Sequence, residues 1–215
     1  MIKSSVGGNR MAADERRSQI LEIAVQLFSQ RGFRGTTTRE IANAAGVSEA
    51  MVFRHFATKH DLYAALLDYK ACRTDQVNPR ERLKDFIAAN DDYGVFYNLA
   101  LGALSQHYRD QDFMRLLLFS ALEGHELAEM FFERFIVDIY NFLGSYIEKR
   151  QRDGVFRETN PRLFVRAFVG MLIHHSLNNI LWDRERRLLN VLNEEAAREF
   201  TEILLRGIKI EQEKV

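Results

Sequence analysis

TTTREIANAAGVSEAMVFRHFATKHDLYAAL, residues Thr36 to Leu66, lays out a helix, a tight turn and a second helix. Thr37 followed three residues later by Glu40 is a capping-box pattern: the hydroxyl accepts from an orphan amide of the first turn and the carboxylate returns to the cap's own amide. This predicts a helix from about Thr38, with Ile41, Ala42 and Ala45 facing inward; alanine at 42 is small enough for two helices to cross closely. Gly46 ends it, because glycine accepts the positive φ that a helix C-terminus commonly demands, and Val47 tucks back beneath the turn. Ser48 caps a second helix over Glu49 to His55, which buries Val52 and Phe56 and turns Glu49, Ala50, Arg54 and His55 outward. Such a face fits a major groove. An ordinary helical hairpin with a glycine turn gives the same local pattern, so the flanks decide.

Upstream, Ile20, Ala24, Leu27 and Phe28 fall at helical spacing, so Asp14 to Gln30 reads as an amphipathic helix able to roof the hairpin. Downstream, Thr58 with Asp61 starts another capped helix carrying Leu62, Leu66 and Leu67. Through Ile20 to Phe28, Arg31-Gly32-Phe33, Gly35, Thr37-Thr38, Ile41-Ala42, Ala45-Gly46-Val47-Ser48, Phe53, Phe56, Lys59 and Leu62, the first third of the chain resembles the TetR family of bacterial transcription regulators.

That resemblance implies an all-α fold of about nine helices: an N-terminal three-helix helix-turn-helix domain, residues 1–57, and a larger helical effector-binding and dimerisation domain, residues 58–215. The expected DNA contacts are Thr37, Thr38, Arg39, Ser48, Glu49, Ala50, Phe53, Arg54, His55 and Lys59. Arg54 grips guanine through two hydrogen bonds, clamps a phosphate, or pairs with Glu49 or Asp61. Lys59, at a helix start, is the expected phosphate contact. The family usually carries tyrosine where this chain has Phe53, and that hydroxyl reaches a phosphate; His55, Thr37 or Lys59 would have to compensate.

Charge sets a limit on how DNA is held. Lys+Arg and Asp+Glu number 30 each. Residues 1 to 70 hold ten basic and seven acidic side chains, a net of +3, and residues 71 to 215 carry the balancing −3. Affinity must therefore come from placed contacts and from two copies acting together rather than from a basic surface. Phe164, Phe168, Met171, Leu172 and His175 form one apolar stripe, and Ala197, Phe200, Leu204 and Ile208 another, on helices at about 161–182 and 193–210. In the family these two helices pack against their twins. Phe164, Phe168, Met171, His175, Phe200, Leu204 and Ile208 are thus the expected interface of a C₂ homodimer reading a pseudo-palindromic operator; burial inside one monomer is the alternative.

The middle of the chain is read as helices at about Arg80 to Tyr108, Gln111 to Glu123 and Glu126 to Arg152, with Pro79 and Pro161 as punctuation. Sixteen phenylalanines and the two-sided apolar pattern of the third helix suggest a cavity for a small hydrophobic or aromatic effector. Its expected lining is Phe119, Met130, Phe135, Tyr140, His174 and Asn178, with His107 as a further polar interruption. The same residues fill an ordinary core equally well.

No cofactor, metal or catalytic motif is expected. His174 and His175 are adjacent and diverge by about 100° on a helix, so they do not share an ion. Cys72 stands alone, which fits a reducing cytoplasm, and no signal peptide or transmembrane run appears. Met1 to Met11 reads as a disordered arm, as a minor-groove reader, or as a stretch ahead of a true start at Met11. Three functions stay in view: an effector-released repressor, a DNA-binding regulator without a small-molecule effector, and a helical enzyme or carrier with a vestigial hairpin.

Overall fold

The computed structural model describes residues 6–73 and 79–210, with side chains over 13–70 and 80–210. The architecture is all-α. In order come α1 (Val6–Arg31), α2 (Thr38–Ala44), α3 (Glu49–His55), α4 (Lys59–Arg73), α5 (Pro79–Ala88), α6 (Asp92–Arg109), α7 (Gln111–Glu123) and α8 (Glu126–Phe131). A π-helical turn (Phe132–Ile136) runs into α9 (Val137–Arg152); α10 (Pro161–Leu177) ends in a second π turn (Asn178–Trp182), and α11 (Asn193–Ile208) follows. Of the expected N-terminal arm, residues 1–5 lie outside the described residues, and α1 already begins at Val6.

Two compact units form. Unit 1 joins α1 to α4 with most of α7 and all of α8; unit 2 holds α5, α6, α9, α10 and α11. This division differs from the expected cut at residue 57. The reason is the apolar face of α4: Leu62, Tyr63, Leu66 and Leu67 are all buried, in contact with α1 on one side and α8 on the other. Ile20, Leu21, Ala24, Val25 and Phe28 from α1, Ile41 and Ala42 from α2, and Val52 from α3 complete that core, joined by Leu116 of α7 and Leu127 of α8.

In unit 2, α6 lies against α11 and α10, and α10 lies against α9. Its core includes Val95, Phe96, Leu143, Ile147, Phe168, Leu172, Ala197, Leu204 and Ile208. The helix expected over Arg80 to Tyr108 is broken into α5 and α6. Asn90 takes a left-handed φ of 54°, the Asp91 amide turns back to the Phe86 carbonyl (2.8 Å), and Asp91 Oδ1 then accepts the Gly94 amide (2.9 Å) to cap α6. A continuous apolar period masks these local stop and start signals.

One ion pair is sealed inside unit 2. Arg150 of α9 donates through Nε to Asp92 Oδ1 (2.7 Å) and through Nη2 to Asp92 Oδ2 (3.1 Å), and Tyr146 OH donates to the same carboxylate (2.7 Å). Both charged side chains are less than a tenth exposed. Removing one member of such a pair strands the other charge. Arg150→Met is expected to lower unfolding stability by about 3–5 kcal/mol, read as a fall in the urea midpoint; a loss under about 1 kcal/mol would contradict this account of the pair.

Candidate nucleic-acid interface

The hairpin is fixed by local bonds before any tertiary contact. Thr37 Oγ1 accepts the Glu40 amide (3.2 Å) while Glu40 Oε2 accepts the Thr37 amide (2.8 Å), so the expected capping box is present. These bonds to Thr37, then the Arg31 cation, hold the Glu40 carboxyl below its ordinary pKa. At the far end of α2, Gly46 takes φ 66°, its amide donates to Asn43 O, and the Val47 amide donates to Ala42 O (3.0 Å). That is a complete Schellman ending. Ser48 Oγ then accepts the Met51 amide (3.2 Å) and α3 begins.

On α3, Val52 and the following Phe56 are buried, as the spacing predicts, and Ala50, Phe53 and Arg54 are exposed, Phe53 to 45 %. Glu49 and His55 are partly covered. Thr38 Oγ1 donates to Glu49 Oε1 (2.6 Å), tying the first turns of α2 and α3 together. The intramolecular salt bridge considered for Arg54 does not form: Glu49 is taken by Thr38, and Asp61 accepts from Thr58 Oγ1 (2.8 Å). Arg39 and Arg54 are exposed cations with no hydrogen bond or ion pair among the described residues. Burial first, and then the cations of Arg54, Arg17 and Arg16, hold His55 below its ordinary pKa, so at neutral pH it presents an uncharged ring.

Lys59 needs a correction. Its ammonium donates inward to the Phe33 carbonyl and sits 4.0 Å from the centroid of the Phe33 ring. Desolvation lowers its pKa, against the pull of Glu123 and Glu40. Lys59 fastens α4 to the turn after α1 rather than standing free for phosphate. Spacing alone identified a helix start; the carbonyl it serves lies 26 residues away.

Residues 20–66 match the model of the bacterial regulatory proteins of the tetR family. That similarity covers less than a quarter of the chain. Among similar proteins, the transcriptional activator FasR of Mycolicibacterium smegmatis is 38 % identical over 96 residues, 40 % of this chain and 43 % of FasR. The transcriptional repressor KstR2 of Mycobacterium tuberculosis is 34 % identical over 86 residues, 36 % of this chain and 43 % of KstR2. The match thus spans less than half the length of either relative. At the level of fold the likeness runs further: NalD, the secondary repressor of a multidrug efflux pump in Pseudomonas aeruginosa, superposes with a TM-score of 0.68 at 20 % identity, covering 93 % of this chain and 98 % of NalD. AibR, solved with isovaleryl coenzyme A and operator DNA, gives 0.60 at 21 %, covering 88 % and 98 %.

The expected effector lining divides between the two units. Phe119 and Met130 fall in unit 1, and Phe135, Tyr140, His174 and Asn178 in unit 2. Tyr140 OH accepts from Arg166 Nε (3.4 Å), and the Asn178 amide donates to the exposed His174's own carbonyl (2.9 Å). Instead a cavity of about 20 Å³, room for about one water, is lined by His107, His175, Ser176, Asn179 and Arg186 among others. Of these, His175 and Asn179 each lie one position beyond the expected His174 and Asn178, which swings the side chains about 100° around the axis. His107, picked out as a polar interruption, does reach it and pairs through Nδ1 with Ser176 Oγ (2.9 Å).

Of the expected dimer residues, four are buried within the monomer. Phe168, Leu204 and Ile208 are buried in the unit 2 core; His175 is buried with its ring against Phe200, and Phe164, Met171 and Phe200 pack on the same core. Periodicity found the apolar stripes but not which surface they meet. Leu163 and Ile203, 62 % and 59 % exposed, are the large apolar side chains that α10 and α11 turn outward.

Burial pushes the pKa of His107 down to about 4. The unfolded chain therefore binds a proton that the folded chain refuses, and stability is lost as pH falls from the ordinary histidine range toward 4. Chemical denaturation should show His107 alone costing about 2 kcal/mol between pH 7 and pH 5, with the total loss smaller by that share in His107→Gln; an equal loss in that variant would contradict the assignment.

Proposed function

We propose that this chain is a sequence-specific DNA-binding transcription regulator, a repressor that holds a pseudo-palindromic operator as a C₂ homodimer and leaves it on taking up a small hydrophobic effector. The observation that carries the DNA reading is α3 itself: a helix pinned at its start by Ser48 and by Thr38 to Glu49, presenting Ala50, Phe53 and the unpaired Arg54 outward. Arg39 at the start of α2 and the neutral His55 extend the same face. With Lys59 engaged inward, His55 and Thr37 are the neighbours that compensate for the hydroxyl absent at Phe53.

The effector half of the proposal draws support from the shared fold of AibR, whose structure holds isovaleryl coenzyme A together with operator DNA. The dimer draws support from the small local charge excess, which needs two linked readers, and from the outward Leu163 and Ile203. The small size of the His107 cavity favours a second reading, a regulator that binds DNA without a small-molecule effector. Thermal shift across a library of acyl and steroid compounds separates the two, since an effector at 100 times its dissociation constant adds about 2.7 kcal/mol.

Fluorescence anisotropy on the duplex upstream of its own gene, at fixed salt, tests the DNA half. Arg54→Ala is expected to lose tenfold or more in affinity, within the roughly 1–3 kcal/mol of a good bidentate contact, with its melting temperature unchanged. A loss confined to the operator marks base reading; an equal loss on all duplexes marks phosphate binding. Wild-type protein that binds the upstream duplex no tighter than a scrambled one would overturn the proposal.

A further inference from the structure

Helices that end on a left-handed residue leave the next amide in need of an acceptor, and the usual solution is a carbonyl of the helix itself. Unit 1 and unit 2 use that solution four times. Val47 donates to Ala42 O after Gly46, Asp91 to Phe86 O after Asn90, His125 to Ser120 O after Gly124, and Val155 to Arg150 O after Gly154. The end of α1 is different. Gly32 takes φ 70° and its amide closes on Phe28 O (2.9 Å), but the next amide, that of Phe33, donates to Glu123 Oε2 (3.0 Å) from the last residue of α7.

Several features converge on this bond. A Cβ on Gly32 would strain φ and stand 2.6 Å from Glu123 Oε1, so any other residue there would push this carboxylate aside. A carboxylate at a helix C-terminus faces the unfavourable end of the helix dipole, so α7 itself gains nothing from Glu123. The Phe33 carbonyl is held in turn by Lys59 of α4, and the His125 ring lies 4.4 Å from the Phe33 ring. One residue thus has its amide fixed by α7, its carbonyl by α4 and its side chain by the α7–α8 corner. Three residues later Thr36, buried and bonded through Oγ1 to Gly32 O (3.0 Å), leads into the cap of α2.

We infer that Glu123 is a positioning residue for the DNA reader: by accepting the Phe33 amide it sets the exit of α1 and hence the placement of α2 and α3. A ligand or partner that displaces the end of α7 then acts on the reader through this hydrogen bond. The inference rests on α3 being the reader, and its test separates the two claims.

The full chain is compared as wild type, Glu123→Ala, Glu123→Gln and, as a control on the neighbouring surface residue, Leu122→Ala. Two quantities are read well below the melting temperature: affinity for the upstream duplex, and hydrogen exchange of the peptide spanning residues 32–35. Glu123→Ala is expected to weaken DNA binding about fivefold or more and to speed Phe33 exchange about tenfold or more. Glu123→Gln keeps an oxygen acceptor and is expected to restore both to within about twofold, and Leu122→Ala to match wild type. Unchanged exchange in Glu123→Ala, or Glu123→Gln as impaired as Glu123→Ala, would overturn the inference. Wild type that does not bind the duplex defeats the reading of α3, while the exchange result still judges the tether.

Discussion

A backbone amide buried at a helix end must find an acceptor, and in unit 1 that requirement joins elements far apart in sequence. The Phe33 amide reaches 90 residues along the chain to Glu123. Around it the rings of Phe28, Phe33, Tyr63 and His125 pack against one another, Phe28 stacked on Phe33 and the other pairs edge to face or tilted, with centroids 4.4 to 6.0 Å apart. The helix-turn-helix is therefore not a module that closes at residue 57. It shares its core with α4 and with the α7–α8 corner, so the reader and a segment remote in sequence form one compact unit. Coupling between a regulatory event and DNA binding needs such a shared element, because a ligand shifts an equilibrium only through contacts that differ between the two states.

Unit 2 rests on a different solution to a similar problem. The Asp92 carboxylate at the start of α6 is enclosed and is satisfied by two nitrogens of Arg150 and by Tyr146 OH. Arg150 also reaches Asp153 Oδ2 (3.0 Å), and its carbonyl accepts the Val155 amide that closes α9. One side chain and its own backbone thus connect the start of α6 to the end of α9. The neutral seam of His107, Ser176, His175 and Asn179 lies elsewhere in the same unit, where burial keeps both imidazoles uncharged at neutral pH.

What could be read from the sequence was what local geometry encodes. The capping box at Thr37 and Glu40, the glycine ending at Gly46, the Ser48 cap and the burial of Val52 need no information beyond about four residues on either side, and all stand in the structure. The residues that fix the reader's surroundings were not legible in the same way. Lys59 looked like a free helix-start cation because its acceptor is 26 residues distant, and Glu123 carried no signal at all. The stripes on α10 and α11 gave their apolar faces correctly but not the surface they meet, which turned out to be the monomer's own core for Phe168, Leu204 and Ile208. Along the run from Glu126 to Arg152, the π turn at Phe132–Ile136 inserts a residue and rotates the apolar pattern by about 100°. A pattern read as two-sided and cavity-lining is what such a phase shift produces.

Two copies of α3 reading one symmetric site would leave a defined footprint on the DNA upstream of the gene. The expected footprint is a protected region with two inverted half-sites whose centres lie about one helical turn, roughly 34–36 Å, or a whole number of turns apart. Protection of a single half-site, or none at protein concentrations where sedimentation shows a dimer, would contradict it.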